Sequence, residues 1–206
     1  MPAKERRFGD WLTAANAVSV ARLVAAPYSL MVALDERWLL ASVLFVGAVL
    51  SDLLDGYLAR RAGKESALGG LLDHSADAIY VTLTLWALAH TGVIPGFLPF
   101  LIGCAFLQYV LDSRAMTGQP LRTSRLGRWN GIAYFVLVGV IVIRNALGAA
   151  WLPDDAIWLF GLVLLTTTFL SMFERLHAMM NPGSEPLYAG WWNRLRSGSS
   201  RKGSGE

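Results

Sequence analysis

Four aspartates fall between positions 52 and 77, in the stretch DLLDGYLARRAGKESALGGLLDHSAD. Asp52 and Asp55 are three residues apart, Asp73 and Asp77 four apart, so on helices each pair shares one face. Four carboxylates brought to one place would repel one another as they lose hydration. A hard divalent cation resolves that conflict. Mg²⁺ and Mn²⁺ prefer oxygen ligands, and Mg²⁺ usually joins a few carboxylates to substrate phosphates. Two such ions about 3.5–4 Å apart, bridged by shared aspartates, suit displacement at phosphorus. The residues between the acids fit the same chemistry. Gly56, Ala59 and Gly69 leave a face without bulk, where a flat base or a diphosphate can approach the backbone. Arg60 can pair with phosphate in a fork. The other reading of the small residues is close helix packing.

The elements that must position these acids are hydrophobic. The chain has 206 residues, 54% hydrophobic and 16% charged, with a mean hydropathy of +0.44. Soluble domains carry roughly 25% charged residues. The composition therefore predicts an all-α integral membrane protein. A span needs about 20 mainly apolar residues to cross roughly 30 Å of hydrocarbon. Six stretches meet that need: Asn16 to Leu34, Trp38 to Leu58, Leu68 to His90, Ile94 to Leu111, Trp129 to Leu147 and Ala156 to Met179. They are read as helices, because an open strand leaves backbone groups unpaired in lipid. The short link from Arg60 to Ala67 makes the second and third spans antiparallel neighbours and brings both acid pairs to one boundary.

Charge placement orients the bundle. Lys4, Arg6 and Arg7, then Arg60, Arg61 and Lys64, then Arg114, Arg122, Arg125 and Arg128, then Arg175, Arg194, Arg196, Arg201 and Lys202 fall on one side. Arg37 and Arg144 fall on the other, and Arg22 lies within the first span. Basic residues accumulate on the cytosolic side, which puts both termini and the acidic link there. The net charge of +3 is thus a topology signal, and no nucleic-acid partner is implied. Most tryptophans fall near span ends and read as interfacial anchors.

Phe8, Trp11 and Leu12 share a face opposite Arg7 and Asp10, which suggests a short interfacial helix at about residues 5–14. No separate apolar stretch precedes the first span, so that span is expected to direct insertion itself. The transmembrane domain is expected over residues 1–180. Asn181, Pro182 and Gly183 break the last helix, and residues 181–206 read as a flexible cytosolic tail. The single cysteine, Cys104, sits in an apolar run and excludes an intrachain disulfide.

The pattern Asp52-x2-Asp55-Gly56-x2-Ala59-Arg60-x8-Gly69-x3-Asp73-x3-Asp77 resembles the signature of the CDP-alcohol phosphotransferase family at all eight positions and all spacings. Asn16-x2-Ser19-x2-Arg22 is similar to the family's Asn-x2-Thr-x2-Arg opening of the first span, with Ser in place of Thr. The resemblance covers about residues 10–180. It implies a membrane enzyme, typically a homodimer, in which an acceptor hydroxyl attacks the β-phosphorus of a CDP-linked alcohol, usually CDP-diacylglycerol, and CMP leaves. It implies Mg²⁺ or Mn²⁺, as two ions, at Asp52, Asp55, Asp73 and Asp77, with Asp77 also the general base. It implies a CDP pocket at Asp52, Gly56, Ala59, Arg60 and Gly69, facing the cytosol at the cell (inner) membrane.

The acceptor is a separate question. Arg114, Arg122, Arg125 and Arg128 crowd the link before the fifth span, and their charge suits an anionic acceptor such as glycerol 3-phosphate or another alcohol phosphate. Topology alone is the other explanation for them. Ser124-x-Leu126-Gly127-Arg128 is similar to a stretch of the phosphatidylglycerophosphate synthase branch. Asp73-His74-Ser75-Ala76-Asp77-Ala78 departs from that branch's Asp-Pro-x-Ala-Asp-Lys, which leaves inositol, serine, choline or a lipid open as acceptors. His74 reads as a boundary residue or an acceptor contact. A transporter would place its acids nearer the bilayer middle, on broken helices. Pro27 and Pro99, the breakers within the spans, are not beside the aspartates. A non-catalytic scaffold would not need all four acids.

Overall fold

A computed structural model describes residues 14–62, 67–112, 125–149 and 152–180. Six helices follow one another: α1 (Ala14–Leu34), α2 (Trp38–Ala62), α3 (Ala67–His90), α4 (Leu98–Asp112), α5 (Arg125–Ala146) and α6 (Asp154–Met180). The described residues contain no strand. The interfacial helix expected at residues 5–14 and the tail at 181–206 lie outside the described residues, apart from Ala14, which opens α1.

Three of the helices, α1, α5 and α6, are long and apolar enough to cross a membrane. In α2 the described apolar stretch runs from Trp38 to Leu54, with Asp52 already within it. Helix α3 carries Asp73, His74 and Asp77 in its first half, so the residues that could do chemistry are those that dilute its apolar character. Helix α4 has 15 residues and starts at Leu98, four residues later than the apolar run suggested. Pro95 accounts for the delay: it opens a turn, and its carbonyl accepts from the Leu98 N–H at 3.0 Å. Ile94 is still buried in the core, as a packing residue outside any helix.

The interior holds Ser19, Arg22, Ser29, Thr84, Asn130, Thr168 and Ser171 beside aliphatic and aromatic side chains, while Val24, Leu39, Leu111 and Phe169 point outward. An exterior this apolar is a liability in water and ordinary against lipid. Between helices the attraction then comes from close packing and internal hydrogen bonds rather than from the hydrophobic effect. Helix α1 packs chiefly on α3, α2 lies against α1 and α5, α4 against α3 and α6, and α5 against α6. Tyr80, Leu85 and Leu88 of α3 meet Leu98, Leu137, Ile141 and Ile157 in the core. Ser29 Oγ donates to Tyr80 Oη at 3.2 Å and lies 3.1 Å from Thr84 Oγ1, binding α1 to α3. Ser42 donates to the Val142 carbonyl at 2.9 Å, joining α2 to α5. Gly161 lets α6 approach the α3–α4 turn, since a methyl there would stand 2.6 Å from Pro95 Cδ.

At the far end of α5, Arg144 pairs with Asp154 of α6 at 2.5 Å. At the near end, the first half of α1, the second half of α2 and the first half of α3 meet. That end carries the acids.

Candidate active site

Arg22 reaches from α1 into the gap between α2 and α3. Its Nη1 donates to Asp73 Oδ1 at 3.1 Å and to Asp77 Oδ1, and lies 3.5 Å from Asp52 Oδ1. Its Nη2 is 3.5 Å from Ser51 Oγ. Ser19, one turn earlier on α1, donates to Asp73 Oδ1 at 3.1 Å. The Arg22 side chain is 1% exposed, whereas Asp52, Asp73 and Asp77 are 39%, 29% and 19% exposed. The cation is therefore sealed behind the acids, which keep one side open to a ligand.

The structure thus brings together Asp52, Asp73 and Asp77 of the expected acid cluster. Asp55, Gly56, Ala59 and Arg60 continue α2 in register, but their side chains lie outside the described residues. Gly69 lies in α3 and is half-buried. One ligand atom each from Asp73, His74 and Asp77 falls within 4.8 Å of the others. Hard carboxylate oxygens from two helices, facing one point with an imidazole at the edge, are the donor set that Mg²⁺ or Mn²⁺ takes. The residues present fit such an ion.

Beside the acids a cavity of about 520 Å³ opens between α3, α4, α5 and α6, within the size range of small-molecule sites. Asp52, His74 and Asp77 line it, and so do Arg128 and Arg175. Val81, Ile102, Phe106 and Phe135 line it with apolar surface, and Tyr134 and Thr168, 2.5 Å apart, also face it. Gln108 Oε1, Tyr109 Oη and Asn130 Nδ2, buried polar atoms of its lining, find no hydrogen-bond partner among the described residues. Gln108 is held by its other amide atom, Nε2, which donates to the Met172 carbonyl at 3.0 Å. The Arg175 guanidinium lies over the Tyr109 ring, 5.1 Å from its centroid, and His74 faces the same ring at 6.2 Å.

Of the four arginines expected at the acceptor, Arg128 lines this cavity. Arg125 opens α5 with its side chain undescribed, and Arg114 and Arg122 lie outside the described residues. Two residues were underrated from sequence. Arg22 enters the sequence reading as a charge within a span and as the last position of Asn16-x2-Ser19-x2-Arg22, and neither gave it a place among the acids. Arg175 was assigned to topology, although Thr168, Ser171, Met172 and Arg175 recur at helical spacing along one face of α6.

A helical bundle with an apolar exterior and acids gathered at the mouth of an internal cavity defines a class: a membrane protein with a polar ligand site. Residues 12–173 match the CDP-alcohol phosphatidyltransferase family, and the chain belongs to that family. It is 31% identical to the CDP-diacylglycerol–glycerol-3-phosphate 3-phosphatidyltransferase of Yersinia enterocolitica, over 85% of this chain and 96% of that one. It is 26% identical to an Arabidopsis thaliana protein of the same description, numbered 2, over 85% of this chain and 73% of the other. Human cardiolipin synthase (CMP-forming) is 36% identical over 44% of this chain and 30% of its own length. The chain spans 30% of the human and rat cardiolipin synthases and 45% of that of Streptomyces coelicolor.

Proposed function

We propose that the chain transfers a phosphatidyl group from CDP-diacylglycerol to the hydroxyl of a phosphate-bearing alcohol, releasing CMP. One observation carries this reading: a single cavity joins Asp52 and Asp77 to Arg128 and Arg175. Family membership supports the reaction class, and relatives named for glycerol 3-phosphate support the acceptor class.

In the proposed reaction the acceptor oxygen bonds to the β-phosphorus, and the bond from that phosphorus to the bridging oxygen breaks. The hydroxyl proton passes to Asp77, and the electron pair leaves with CMP. Asp52, Asp55, Asp73 and Asp77 would hold two Mg²⁺ or Mn²⁺ ions, which would neutralise charge on the reacting phosphates. Asp52, Gly56, Ala59, Arg60 and Gly69 would form the CDP pocket. Arg128 and Arg175 would grip the acceptor phosphate, with Gln108, Tyr109 and Asn130 offering hydrogen bonds to its hydroxyls.

The cavity is larger than a glycerol phosphate requires, and Val81, Ile102 and Phe135 give it apolar walls. That favours a second reading, in which the phosphate-bearing acceptor is itself a lipid. Inositol, serine and choline lack the phosphate this cavity suits.

The transmembrane domain is proposed to occupy residues 1–180, with six spans, an interfacial helix at about 5–14 and a cytosolic tail at 181–206. Both termini and the acids would face the cytosol at the cell (inner) membrane, in a homodimer. The test incubates purified protein with CDP-diacylglycerol, Mg²⁺ and, separately, glycerol 3-phosphate, inositol phosphate, inositol, serine, choline or phosphatidylglycerol. Products are identified by mass. CMP release with a phosphate-bearing acceptor is expected; release with inositol, serine or choline alone would overturn the acceptor class, and no release with any would overturn the reaction.

A further inference from the structure

The contacts that tie α1 to the acids come from a residue outside the eight-position motif. Arg22 Nη1 carries two protons, and they go to Asp73 and Asp77. Asp52, at 3.5 Å, is left with attraction through space. All three contacts use Oδ1 atoms, so three carboxylates from two helices are gathered on one nitrogen.

This arrangement has a consequence for metal binding. A Mg²⁺ ion requires its oxygens at about 2.0–2.1 Å, in near-octahedral order. The same three oxygens cannot close on a cation at that distance while a guanidinium nitrogen stands among them. Nor can the arginine yield by losing its proton, because guanidinium stays charged at any working pH. It has to move. Ser51 Oγ, already 3.5 Å from Nη2 and itself donating to the Ala48 carbonyl at 2.8 Å, gives the displaced group an acceptor on α2.

We propose that Arg22 is the resident counter-ion of the aspartate site, exchanged for the divalent cation when that cation binds. The guanidinium gathers Asp52, Asp73 and Asp77 into one place and keeps α1, α2 and α3 in register. Metal entry breaks its bonds to Asp73 and Asp77, so metal binding is a substitution and its affinity is held down by Arg22. This is a positioning role, and it rests on the reading of these acids as metal ligands.

The test is metal binding without substrates, by Mn²⁺ titration followed by electron paramagnetic resonance. Arg22→Gln should bind Mn²⁺ more tightly than the wild type, by about tenfold or more, the usual scale of coupling between two ligands. Arg22→Lys, which keeps the charge and loses the fork, should fall between them. In the wild type, the Arg22 guanidinium ¹⁵N resonance should shift as Mg²⁺ is added. Equal or weaker Mn²⁺ binding by Arg22→Gln, or an Arg22 resonance unmoved at saturating Mg²⁺, overturns the exchange. Should Arg22→Gln fold only with metal, its melting temperature should climb more steeply with Mn²⁺ than that of the wild type, and equal slopes would count against the proposal. A control separates the two readings. If Asp73→Asn binds Mn²⁺ as the wild type does, the metal assignment falls and this proposal with it. Wild-type binding without any gain in Arg22→Gln removes this proposal alone.

Discussion

Across α1, α2 and α3 the polar groups are charged, crowded and bonded to one another: Arg22 and Ser19 satisfy Asp73, and Arg22 also holds Asp77. Across α4, α5 and α6 the cavity walls carry neutral and cationic groups, and Gln108, Tyr109 and Asn130 each keep a buried polar atom without a partner among the described residues. The first region offsets part of its own charge, with one guanidinium against three carboxylates. The second leaves hydrogen-bonding capacity turned to the cavity, and a buried polar atom left unsatisfied costs about 1–3 kcal/mol. A region that keeps such groups is shaped for a ligand that satisfies them. On that comparison, changes in the α1–α3 cluster should damage transfer to every acceptor, and changes around the α4–α6 cavity should discriminate between acceptors.

The largest effect should come from Asp52→Asn or Asp73→Asn. Each keeps the volume and loses a ligand charge, so turnover should fall by about 10²–10³-fold or more with all acceptors, the scale of one lost electrostatic stabiliser. Insertion into the membrane should be unaffected. Near-normal turnover at saturating Mg²⁺ would sink the ligand assignment and remove the contrast between the two regions.

Asp77→Asn should also cost about 10²–10⁴-fold in turnover, as expected for a general base. Its effect on CDP-diacylglycerol binding should be smaller than that of Asp55→Asn. Donor affinity that collapses while the bound donor still turns over would make Asp77 a structural residue.

On the cavity side, Arg128→Gln or Arg175→Gln should raise the acceptor KM by about tenfold, or about 1.4 kcal/mol, with the donor KM little changed. An equal response with phosphate-bearing and phosphate-free acceptors would erase the distinction. So would a change in donor KM as large as that in acceptor KM.

The two regions also differed in how far they could be read from sequence. Asp52, Asp55, Asp73 and Asp77 lie on two consecutive helices joined by a short link, so their meeting follows from spacing alone. Arg22 joins them from thirty or more positions upstream, and the motif Asn16-x2-Ser19-x2-Arg22 marks it without saying which side chains it meets. The cavity gathers residues from five helices, with chain separations as large as that between Asp52 and Arg175. No local pattern encodes such a gathering, because each helix contributes residues whose neighbours in sequence face elsewhere. The helices themselves were legible to within about one helical turn: α2 runs on to Ala62, α5 opens at Arg125, and α4 starts at Leu98 because Pro95 interrupts an apolar run that composition reads as continuous. Hydropathy registers the chemical character of Ile94 and Pro95; it is blind to the clash of the proline ring with the preceding residue, which turns Ile94 away from the helical conformation.

The smallest expected effect is the one that tests the unsatisfied groups directly. Tyr109→Phe keeps the ring, and with it the contacts to Arg175, His74 and Phe106; only Oη is lost. If that hydroxyl meets a hydroxyl or phosphate oxygen of the acceptor, the acceptor KM should rise by about two- to tenfold, the worth of a neutral hydrogen bond of about 0.5–1.5 kcal/mol. Stability without substrate should hold or increase slightly, since a buried polar atom lacking a protein partner has been removed. A raised KM together with undiminished stability is expected only if a ligand uses the group. A lower melting temperature with unchanged KM would mean that Tyr109 Oη serves the fold, and acceptor recognition would then rest on Arg128 and Arg175. A raised melting temperature with unchanged KM would leave the hydroxyl idle in catalysis and place the acceptor in another part of the cavity.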